Sequence, residues 1–268
     1  MNLKLKNNNT SLINRNYLYK LLNGIRPFEI GVAIKFLLQV KRQWFKYGPF
    51  KFFIDPCTAF GQCLINFGVY EPEMVQAIST LLEEGDCFID LGGNEGYFSI
   101  IASNCVGRNG SVYCIEPQAR LWPVIMQNAS ENAVSNLTII PHGISDVTGC
   151  ADITLYPSLN TGASSLVSTY RSKIYPKQKI RLFTLDEIIL QYEMTEVKLM
   201  KIDIEGYEIN ALKSALRSLK NKIIKNIIVE IHPEQLRQLG QSVDELHELL
   251  REIGYQYKNY CGINLFSC

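Results

Sequence analysis

The sequence predicts an α/β fold in which a mostly parallel sheet is covered by helices on both faces. From about residue 87 onward, short apolar runs rich in β-branched residues alternate with segments of helical periodicity, as expected of strand–helix–strand units. One apolar run, at residues 87–91, leads directly into a glycine-rich turn and the start of a helix. Acidic side chains follow several of the apolar runs, and the carboxyl ends of parallel strands are where open sheets bind ligands.

Five strands and four helices follow from these patterns. The strands are predicted at 87–91, 112–115, 137–140, 197–202 and 227–231, and the helices near 95–104, 119–133, 207–219 and 242–253. The last helix has an apolar stripe at helical spacing, and Ser242 with Glu245 has the spacing of a capping box at its start. Residues 255–260 and 263–266 flank Cys261 and Gly262, which predicts a hairpin at the C-terminus.

A predicted pair of short strands, 151–156 and 180–183, interrupts the alternation. The polar stretch between them, residues 157–178, has the composition of a long loop. Long loops inside compact domains are usually functional or mobile. This loop is therefore either a substrate lid or a variable surface insertion.

Length and composition predict one main domain with an N-terminal appendage. The chain has 268 residues, of which 47% are hydrophobic and 20% charged, so it can bury a large core. We expect a basic, partly helical extension over residues 1–64 and the main domain over residues 65–268. No apolar run reaches the ~18 residues of a membrane span, and the N-terminus lacks the apolar core of a secretory signal, so we expect a cytoplasmic protein. The eight cysteines include no CxxC pair, which argues against a zinc site.

Positive charge is concentrated near the N-terminus. Residues 1–51 contain ten lysines and arginines and one acid, Glu29, so this segment carries +9 and the rest of the chain −8. The segment is suited to peripheral contact with an anionic membrane surface or to a polyanion, because it also contains Phe36, Leu37, Leu38, Trp44 and Phe45. A solvated helical extension or a dimer contact is the simpler interpretation. Nucleic acid is the weaker hypothesis, because no recognised binding motif accompanies the charge.

The glycine-rich turn predicts a site for the polar part of a nucleotide-like cofactor. Gly92, Gly93 and Gly96 permit positive φ angles and close approach to a ligand, and the helix that follows offers free N–H groups at its start. The spacing differs from the G-x-G-x-x-G of dinucleotide-binding proteins, and Glu95 places an anion where a pyrophosphate would bind. Both features favour a cofactor that has a positive centre and no phosphates.

A carboxylate follows the second strand, at Glu116, 24 residues after Gly92. At this position it can accept both hydroxyl protons of a ribose. Together with Asp90 and the glycines it describes a site for an adenosine with a cationic tail, which S-adenosylmethionine fits. A NAD-dependent oxidoreductase is the alternative, and Glu116 alone would be interpreted as a solvated acid at a strand end.

Three acids follow the apolar strand that contains Lys201. Asp203, Glu205 and Glu208 are costly beside such a strand unless they are paired, hydrogen-bonded or functional. Asp203 can contact the amino group of the cofactor or the hydroxyl of a substrate, while Lys201 offsets the local negative charge. Glu205 and Glu208 are also explained as acids that favour the positive end of the next helix.

The segment VEIHP places Glu230 and His232 at the end of a predicted strand, where residues two apart share a face. His232 is a candidate general base for a hydroxyl, because an imidazole titrates near neutral pH. Asp203, Glu205 and His232 are therefore the candidate catalytic residues. A divalent ion held by Asp203, Glu230 and His232 is a variant of this mechanism, since oxygen ligands at adjacent strand ends suit magnesium.

Taken together, these segments resemble the FkbM-type methyltransferases. The resemblance rests on DLGGNEGYFS, Glu116-Pro117, FTLDEI, KIDIEGYE and VEIHP in this order, and upstream on Gly68-Val69-Tyr70-Glu71-Pro72-Glu73. It covers roughly residues 65–255 and leaves residues 1–50 outside. It implies dependence on S-adenosylmethionine and a Rossmann-like, seven-stranded class I methyltransferase sheet whose last strand is antiparallel. It also implies methyl transfer to a hydroxyl of a sugar, a glycan or a small metabolite.

The same resemblance implies which residues contact the cofactor. They are Asp90, Gly92, Gly93, Asn94 and Gly96 at the turn, Glu116 at the ribose, Gly143, Ile144, Ser145 and Asp146 on the adenine side, and Glu71 closing over the cofactor. Gly93 stands where the family often has alanine. The Asn-Pro-Pro-Tyr type motif of nitrogen methyltransferases is absent, and Ile202-Asp203-Ile204-Glu205 in its place favours an oxygen acceptor. A nitrogen methyltransferase and a non-catalytic binding module that uses the basic segment remain the further alternatives.

Overall fold

The computed structural model describes residues 16–162, 164, 166 and 175–268. The chain divides into two compact units, which are Met1–Tyr70 with Tyr156–Gly162 and Glu71–Leu155 with Ala163–Cys268. Much of the predicted lid at 157–178 lies outside the described residues, as does the start of the basic N-terminal segment. Among the described residues, no helix combines the length and the apolar character that crossing a bilayer requires.

The first unit contains helices and one hairpin. Its described elements are α1 (residues 16–24), α2 (Phe28–Leu37), β1 (Gln43–Tyr47), β2 (Phe50–Ile54) and α3 (Ala59–Phe67). A small core of Leu22, Phe28, Cys57 and Leu159 packs between them. The N-terminal segment is therefore partly helical and has a core of its own.

The second unit contains the remaining elements. In chain order they are α4 (Pro72–Leu81), β3 (Cys87–Leu91), α5 (Tyr97–Val106), β4 (Ser111–Ile115), α6 (Trp122–Glu131), β5 (Leu137–Ile140), β6 (Gly143–Ile144), β7 (Gly149–Thr154), β8 (Lys177–Phe183), α7 (Leu185–Gln191), β9 (Val197–Ile202), α8 (Glu208–Ser214), α9 (Leu216–Lys220), β10 (Ile224–Val229), α10 (Pro233–Gln238), α11 (Val243–Glu252), β11 (Gln256–Tyr260) and β12 (Ile263–Ser267).

Seven strands form the main sheet in the order β11-β12-β10-β9-β3-β4-β5. The pairs from β10 to β5 are parallel, whereas β12 is antiparallel to both of its neighbours. The chain passes from β3 outward through β4 to β5 and later returns to the other side of β3 with β9. This reversal creates a switch point at the carboxyl ends of β3 and β9. The order and the antiparallel last strand confirm the predicted Rossmann-like methyltransferase sheet.

The central strands form because their side chains are apolar on both faces. Ile89, Leu91, Leu199 and Met200 are fully buried, as expected for parallel strands covered by helices on each side. The strands predicted at 87–91, 137–140 and 197–202 coincide with β3, β5 and β9. The strand predicted at 227–231 was wrong at its end, because β10 stops at Val229 and the following residues turn toward α10.

A smaller sheet and the terminal hairpin complete the unit. Strands β7 and β8 pair antiparallel, with Ala151 opposite Ile180, which confirms the predicted added pair, and β6 joins β8 in parallel. Strands β11 and β12 form the predicted hairpin. Its turn residues, Cys261 and Gly262, both have positive φ angles, as a two-residue hairpin turn requires.

Candidate functional site

The turn after β3 brings two strand ends into direct backbone contact. Gly92 has φ +83°, and a Cβ at this position would lie 1.9 Å from the carbonyl oxygen of Asp203. The Asp203 N–H donates to the carbonyl oxygen of Leu91 at 3.0 Å. Glycine is therefore required at position 92 both by its φ angle and by the close approach of the chain after β9.

Gly93 fits closely against a buried thiol. A Cβ on Gly93 would lie 2.1 Å from Sγ of Cys114, which is buried on β4. Gly96 has φ +81° and precedes α5, so it sets the entry into that helix. The family often has alanine at position 93. In this chain the Cys114 side chain occupies the space that an alanine methyl group would need.

Glu116 is held at the turn by two backbone donors. The Asn94 N–H donates to Oε2 at 2.9 Å, and the Gln118 N–H donates to Oε1 at 2.8 Å. Burial raises the pKa of Glu116 to about 7, although both N–H groups favour its charged form. Each oxygen keeps a lone pair for a further donor, so the carboxylate can accept the hydroxyl protons of a ribose.

Lys201 joins the end of β3 to the end of β9. Its Nζ lies 3.5 Å from Oδ1 of Asp90 and 3.1 Å from Oδ2 of Asp203, and the lysine side chain is fully buried. Burial disfavours the charged ammonium, but the charges of Asp203 and Asp90 outweigh it, so the pKa of Lys201 is raised. Asp90 also accepts a hydrogen bond from Oγ of Ser99 at 2.6 Å. Since Asp90 has no exposed surface, its direct contact with a cofactor stays a prediction.

A cluster of four carboxylates surrounds the imidazole of His232. Nδ1 lies 2.7 Å from Oε1 of Glu208. Nε2 lies 3.9 Å from Oδ1 of Asp203, 3.7 Å from Oε2 of Glu205 and 3.9 Å from Oε1 of Glu230. The structure thus brings together the three residues predicted to be catalytic. Glu230 and His232 reach the cluster from the turn after β10 and not from within the strand.

The charges of this cluster shift its pKa values. Burial disfavours the charged imidazole, but the hydrogen bond to Glu208 and the charges of Glu205 and Asp203 raise the pKa of His232 to about 9. Burial, together with the charge of Asp203, raises the pKa of Glu230 to about 7. Burial also raises the pKa of Glu205. Perturbed titrating groups at the end of a sheet are typical of functional sites.

Glu208 is an acid of the cluster that the sequence analysis named but did not include among the candidate catalytic residues. The helix-terminal explanation of this acid is incomplete, because its side chain is fully buried and its Oε1 accepts from the Gly206 N–H at 3.0 Å. The same oxygen orients His232. The available signal was the density of acids in KIDIEGYE, which exceeds what a single helix start needs.

Of the predicted adenine-side residues, Gly143 and Ile144 form β6, and Ser145 and Asp146 follow it. Oγ of Ser145 donates to Oδ1 of Asp146 at 3.1 Å, and the side-chain amide of Asn210 on α8 donates to the same oxygen at 3.1 Å. These bonds lower the pKa of Asp146, the amide of Asn210 most strongly. The carboxylate is therefore fixed and charged near the carboxyl edge of the sheet, and its contact with adenine stays a prediction.

Glu71 immediately precedes α4 and has φ +44°. A cavity of about 240 Å³ is lined by Glu71, Met74, Cys261 and Ile263, among others. The charge of Glu71 contributes to the raised pKa of Glu230, after burial and the charge of Asp203. This position is consistent with the predicted closure over a cofactor, which stays a prediction.

Part of the cluster also has the form of a metal site. Asp203, Glu230 and His232 each present one ligand atom, and these atoms lie within 4.8 Å of one another. A nitrogen with two carboxylate oxygens is a donor set that several divalent ions accept. The bond from Glu208 to Nδ1 of His232 matches the carboxylate that commonly orients a metal-ligating imidazole.

Comparisons with known proteins identify methyltransferases as similar to this chain. A family model described as the methyltransferase FkbM domain matches residues 90–257. The hexuronic acid methyltransferase AglP of Haloferax volcanii is 27% identical over 163 residues, which cover 60% of this chain and 62% of that protein. The methyltransferase sdnD of Sordaria araneosa is 24% identical over 53% of this chain and 64% of its own length. Both matches span less than two thirds of the relative.

Solved structures of methyltransferases also align with the chain. A precorrin-6y C5,15-methyltransferase from Geobacter metallireducens aligns with a TM-score of 0.46 at 15% identity, over 80% of this chain and 85% of that one.

Proposed function

Because the chain belongs to the FkbM methyltransferase family, we propose that it transfers a methyl group from S-adenosylmethionine to a hydroxyl group of a sugar or glycan. The environment of His232 is the observation that supports oxygen as the methyl acceptor. Nδ1 of His232 is held by buried Glu208, and Nε2 faces three strand-end carboxylates. The relative named as a hexuronic acid methyltransferase supports a sugar as the acceptor.

The turn and Glu116 would hold the cofactor, which supplies an electrophilic methyl group on a sulfonium. Glu116 would accept the ribose hydroxyl protons, and the turn at residues 92–96 would lie against the methionine part. Ser145 and Asp146 would contact the adenine, and Glu71 would cover the cofactor. The acid-rich surroundings favour a cationic ligand and disfavour a pyrophosphate.

Nε2 of His232 would take the proton of an acceptor hydroxyl placed beside it, and the cofactor would supply the methyl group to that oxygen. Asp203, whose Oδ1 lies 3.9 Å from Nε2, would stabilise the positive charge that develops on the imidazole, and Lys201 holds Asp203 in place. Glu208 stabilises the imidazolium that forms. Glu205 adds negative charge on the Nε2 side, which strengthens the base.

A second mechanism is supported by the ligand geometry of Asp203, Glu230 and His232. In this alternative the three side chains would hold a divalent ion, which lowers the pKa of a bound hydroxyl. Methyl transfer in the presence of a metal chelator distinguishes the two mechanisms. Complete loss of methyl transfer on chelation, with recovery on adding magnesium or manganese, supports the ion, whereas full activity in excess chelator supports the imidazole base.

The proposal is tested by offering labelled S-adenosylmethionine with glucuronic acid glycosides, a neutral glycoside and a primary amine. We expect label in the sugars and none in the amine. A methyl ether survives mild base, whereas a methyl ester is hydrolysed, so base treatment separates transfer to a hydroxyl from transfer to the uronic carboxylate. Calorimetric binding of S-adenosylhomocysteine to the same preparation tests the cofactor independently.

Label that enters only the amine would establish the nitrogen methyltransferase alternative. Binding of NAD in place of S-adenosylhomocysteine would establish the oxidoreductase alternative. Label released by mild base would replace the hydroxyl with the carboxylate as the acceptor.

A further inference from the structure

Electric charge separates between the two units of the chain. Met1–Tyr70 with Tyr156–Gly162 contains ten lysines and arginines and two acids, Glu29 and Asp55, and so carries +8, whereas the second unit carries −7. Since the whole chain is close to neutral, its net charge conceals one strongly basic unit. A unit of this charge attracts anionic partners at long range.

The same unit exposes large apolar side chains. Phe36 is 82% exposed and Leu37 76% exposed at the end of α2, and Leu38 follows with half of its surface exposed. We call these three residues the apolar tip. Consecutive exposed apolar residues of this size are unfavourable in water and indicate a surface that binds a partner.

Basic residues follow the apolar tip and occupy the hairpin. They are Lys41, Arg42, Lys46 and Lys51, which we call the basic segment. Lys46 pairs directly with Lys51 across β1 and β2, an arrangement of like charges that destabilises a two-stranded hairpin. Nζ of Lys51 also lies 4.9 Å from the centre of the Trp44 ring. An anionic surface would relieve the repulsion between the two lysines.

An ion pair connects the end of α2, which carries the apolar tip, to the end of the hairpin. Lys35, in the last turn of α2, pairs with Asp55, which directly follows β2 and is almost fully buried. Oδ1 of Asp55 also accepts from the Cys57 N–H at 3.0 Å. The helix end that carries the tip is therefore fixed to the hairpin that carries the charge.

We propose that the first unit binds the surface of a bilayer that contains anionic lipids, with the apolar tip at the boundary of the acyl chains and the basic segment against the headgroups. Interfacial sites combine these two components, aromatic and aliphatic side chains with lysine and arginine. A nucleic acid would use the charge but would leave the leucines of the tip in water. A second copy docked through the same face would bring two strongly positive surfaces together.

The test is flotation of the full chain with vesicles of phosphatidylcholine alone and with vesicles that also contain phosphatidylglycerol. We expect binding to the anionic vesicles and little to the neutral ones, with weaker binding at high salt. The double variant Phe36→Ser/Leu37→Ser should bind at least about ten-fold more weakly. The double variant Lys46→Gln/Lys51→Gln should weaken binding and reduce its salt dependence.

The matched control is Met126→Ser/Leu190→Ser, which removes two similarly exposed apolar side chains from the second unit and should leave vesicle binding unchanged. Melting temperatures and S-adenosylhomocysteine binding show that each variant is folded, and the vesicle assay does not depend on methyl transfer. The proposal is overturned if the full chain does not float with anionic vesicles, or if the Phe36→Ser/Leu37→Ser variant floats as well as the unmodified chain. A single-stranded oligonucleotide that binds independently of the tip, or a dimer that this variant dissociates, would also overturn it.

Discussion

The turn after β3 and the cluster around His232 lie at the carboxyl edge of the same sheet, but they are built differently. The turn is a backbone structure in which Gly92 meets the Asp203 carbonyl and Gly93 meets the Cys114 thiol. The cluster is made of charged side chains at 2.7–3.9 Å from the imidazole nitrogens. Gly92 and Gly93 therefore leave no room for a side-chain atom. In the cluster, we expect a substitution that removes a charge to have a larger effect than one that changes only the shape of a side chain. Substitutions at the turn should affect stability, and substitutions in the cluster should affect rate and its pH dependence.

The largest effect is expected in the cluster. His232→Ala should lower the rate of methyl transfer by about 10²–10⁴-fold, because the variant lacks the proposed general base. The affinity for S-adenosylhomocysteine, measured by calorimetry, should stay within a factor of a few. His247→Ala, on α11, is the matched control and should keep its rate. An unchanged rate in His232→Ala would remove the imidazole from the mechanism.

Gly92→Ala should be the most damaging substitution at the turn. At φ +83° and 1.9 Å from a carbonyl oxygen, a methyl group forces the ends of β3 and β9 apart, at a cost on the order of 3 kcal/mol. Chemical denaturation measures this loss. Gly149→Ala is the control, because no atom lies within 4 Å of a Cβ at that position. Equal stabilities of the two variants would contradict the close contact.

Glu208→Gln separates charge from shape within the cluster. The pKa of His232 is raised from 6.5 to about 9, so the neutral base increases as pH rises through about 9, and kcat/KM should rise over the same range. The contribution of the Glu208–His232 pair to stability is present in full below pH 6.5 and is lost as pH rises through about 9. Removing the charge of Glu208 should move the rising limb to lower pH and reduce the maximal rate by about ten-fold or more.

If the pH at which kcat/KM rises is the same in Glu208→Gln and in the unmodified protein, Glu208 has a purely structural role. Glu248→Gln changes a carboxylate that pairs with Arg251 at the surface, and its pH profile should match that of the unmodified protein.

Gly93→Ala should cost about 2 kcal/mol, less than Gly92→Ala, because a side chain and not a backbone carbonyl is in the way. The double variant Gly93→Ala/Cys114→Ala removes the obstructing sulfur and should be more stable than the sum of the two single changes predicts. A double-mutant cycle in denaturant measures this coupling. Additive effects would show that Cys114 does not determine the residue at position 93.

The smallest expected effect is at Glu116. Glu116→Gln should weaken binding of S-adenosylhomocysteine by about ten-fold, because one oxygen that accepts a ribose proton is replaced by a donor. In the unmodified protein, affinity should increase as pH rises through about 7, where the carboxylate becomes charged. The same raised pKa makes the folded state lose stability as pH rises from 4.5 through about 7. Binding independent of pH in this range would separate Glu116 from the ribose.

The sequence was most informative where structure depends on neighbouring residues. Strands β3, β5 and β9, the terminal hairpin and the positions of Gly92 and Glu116 follow from local apolar runs and turn residues. The pairing of Gly93 with Cys114 and of Glu208 with His232 depends on contacts between different strands and helices, which no local pattern encodes. The end of β10 was misplaced because Ile231, after Glu230, extends the strand-like pattern past Val229 although the ladder ends there.

Lys201 connects the turn and the cluster through its ion pairs. Its ammonium is shared between Asp90 on β3 and Asp203 after β9, so a ligand that moves either carboxylate changes the environment of the other. Linkage is reciprocal for binding free energies. If the cofactor changes the affinity for the acceptor by some factor, the acceptor changes the affinity for the cofactor by the same factor. We therefore expect cofactor and acceptor to bind cooperatively, with Lys201 carrying the coupling.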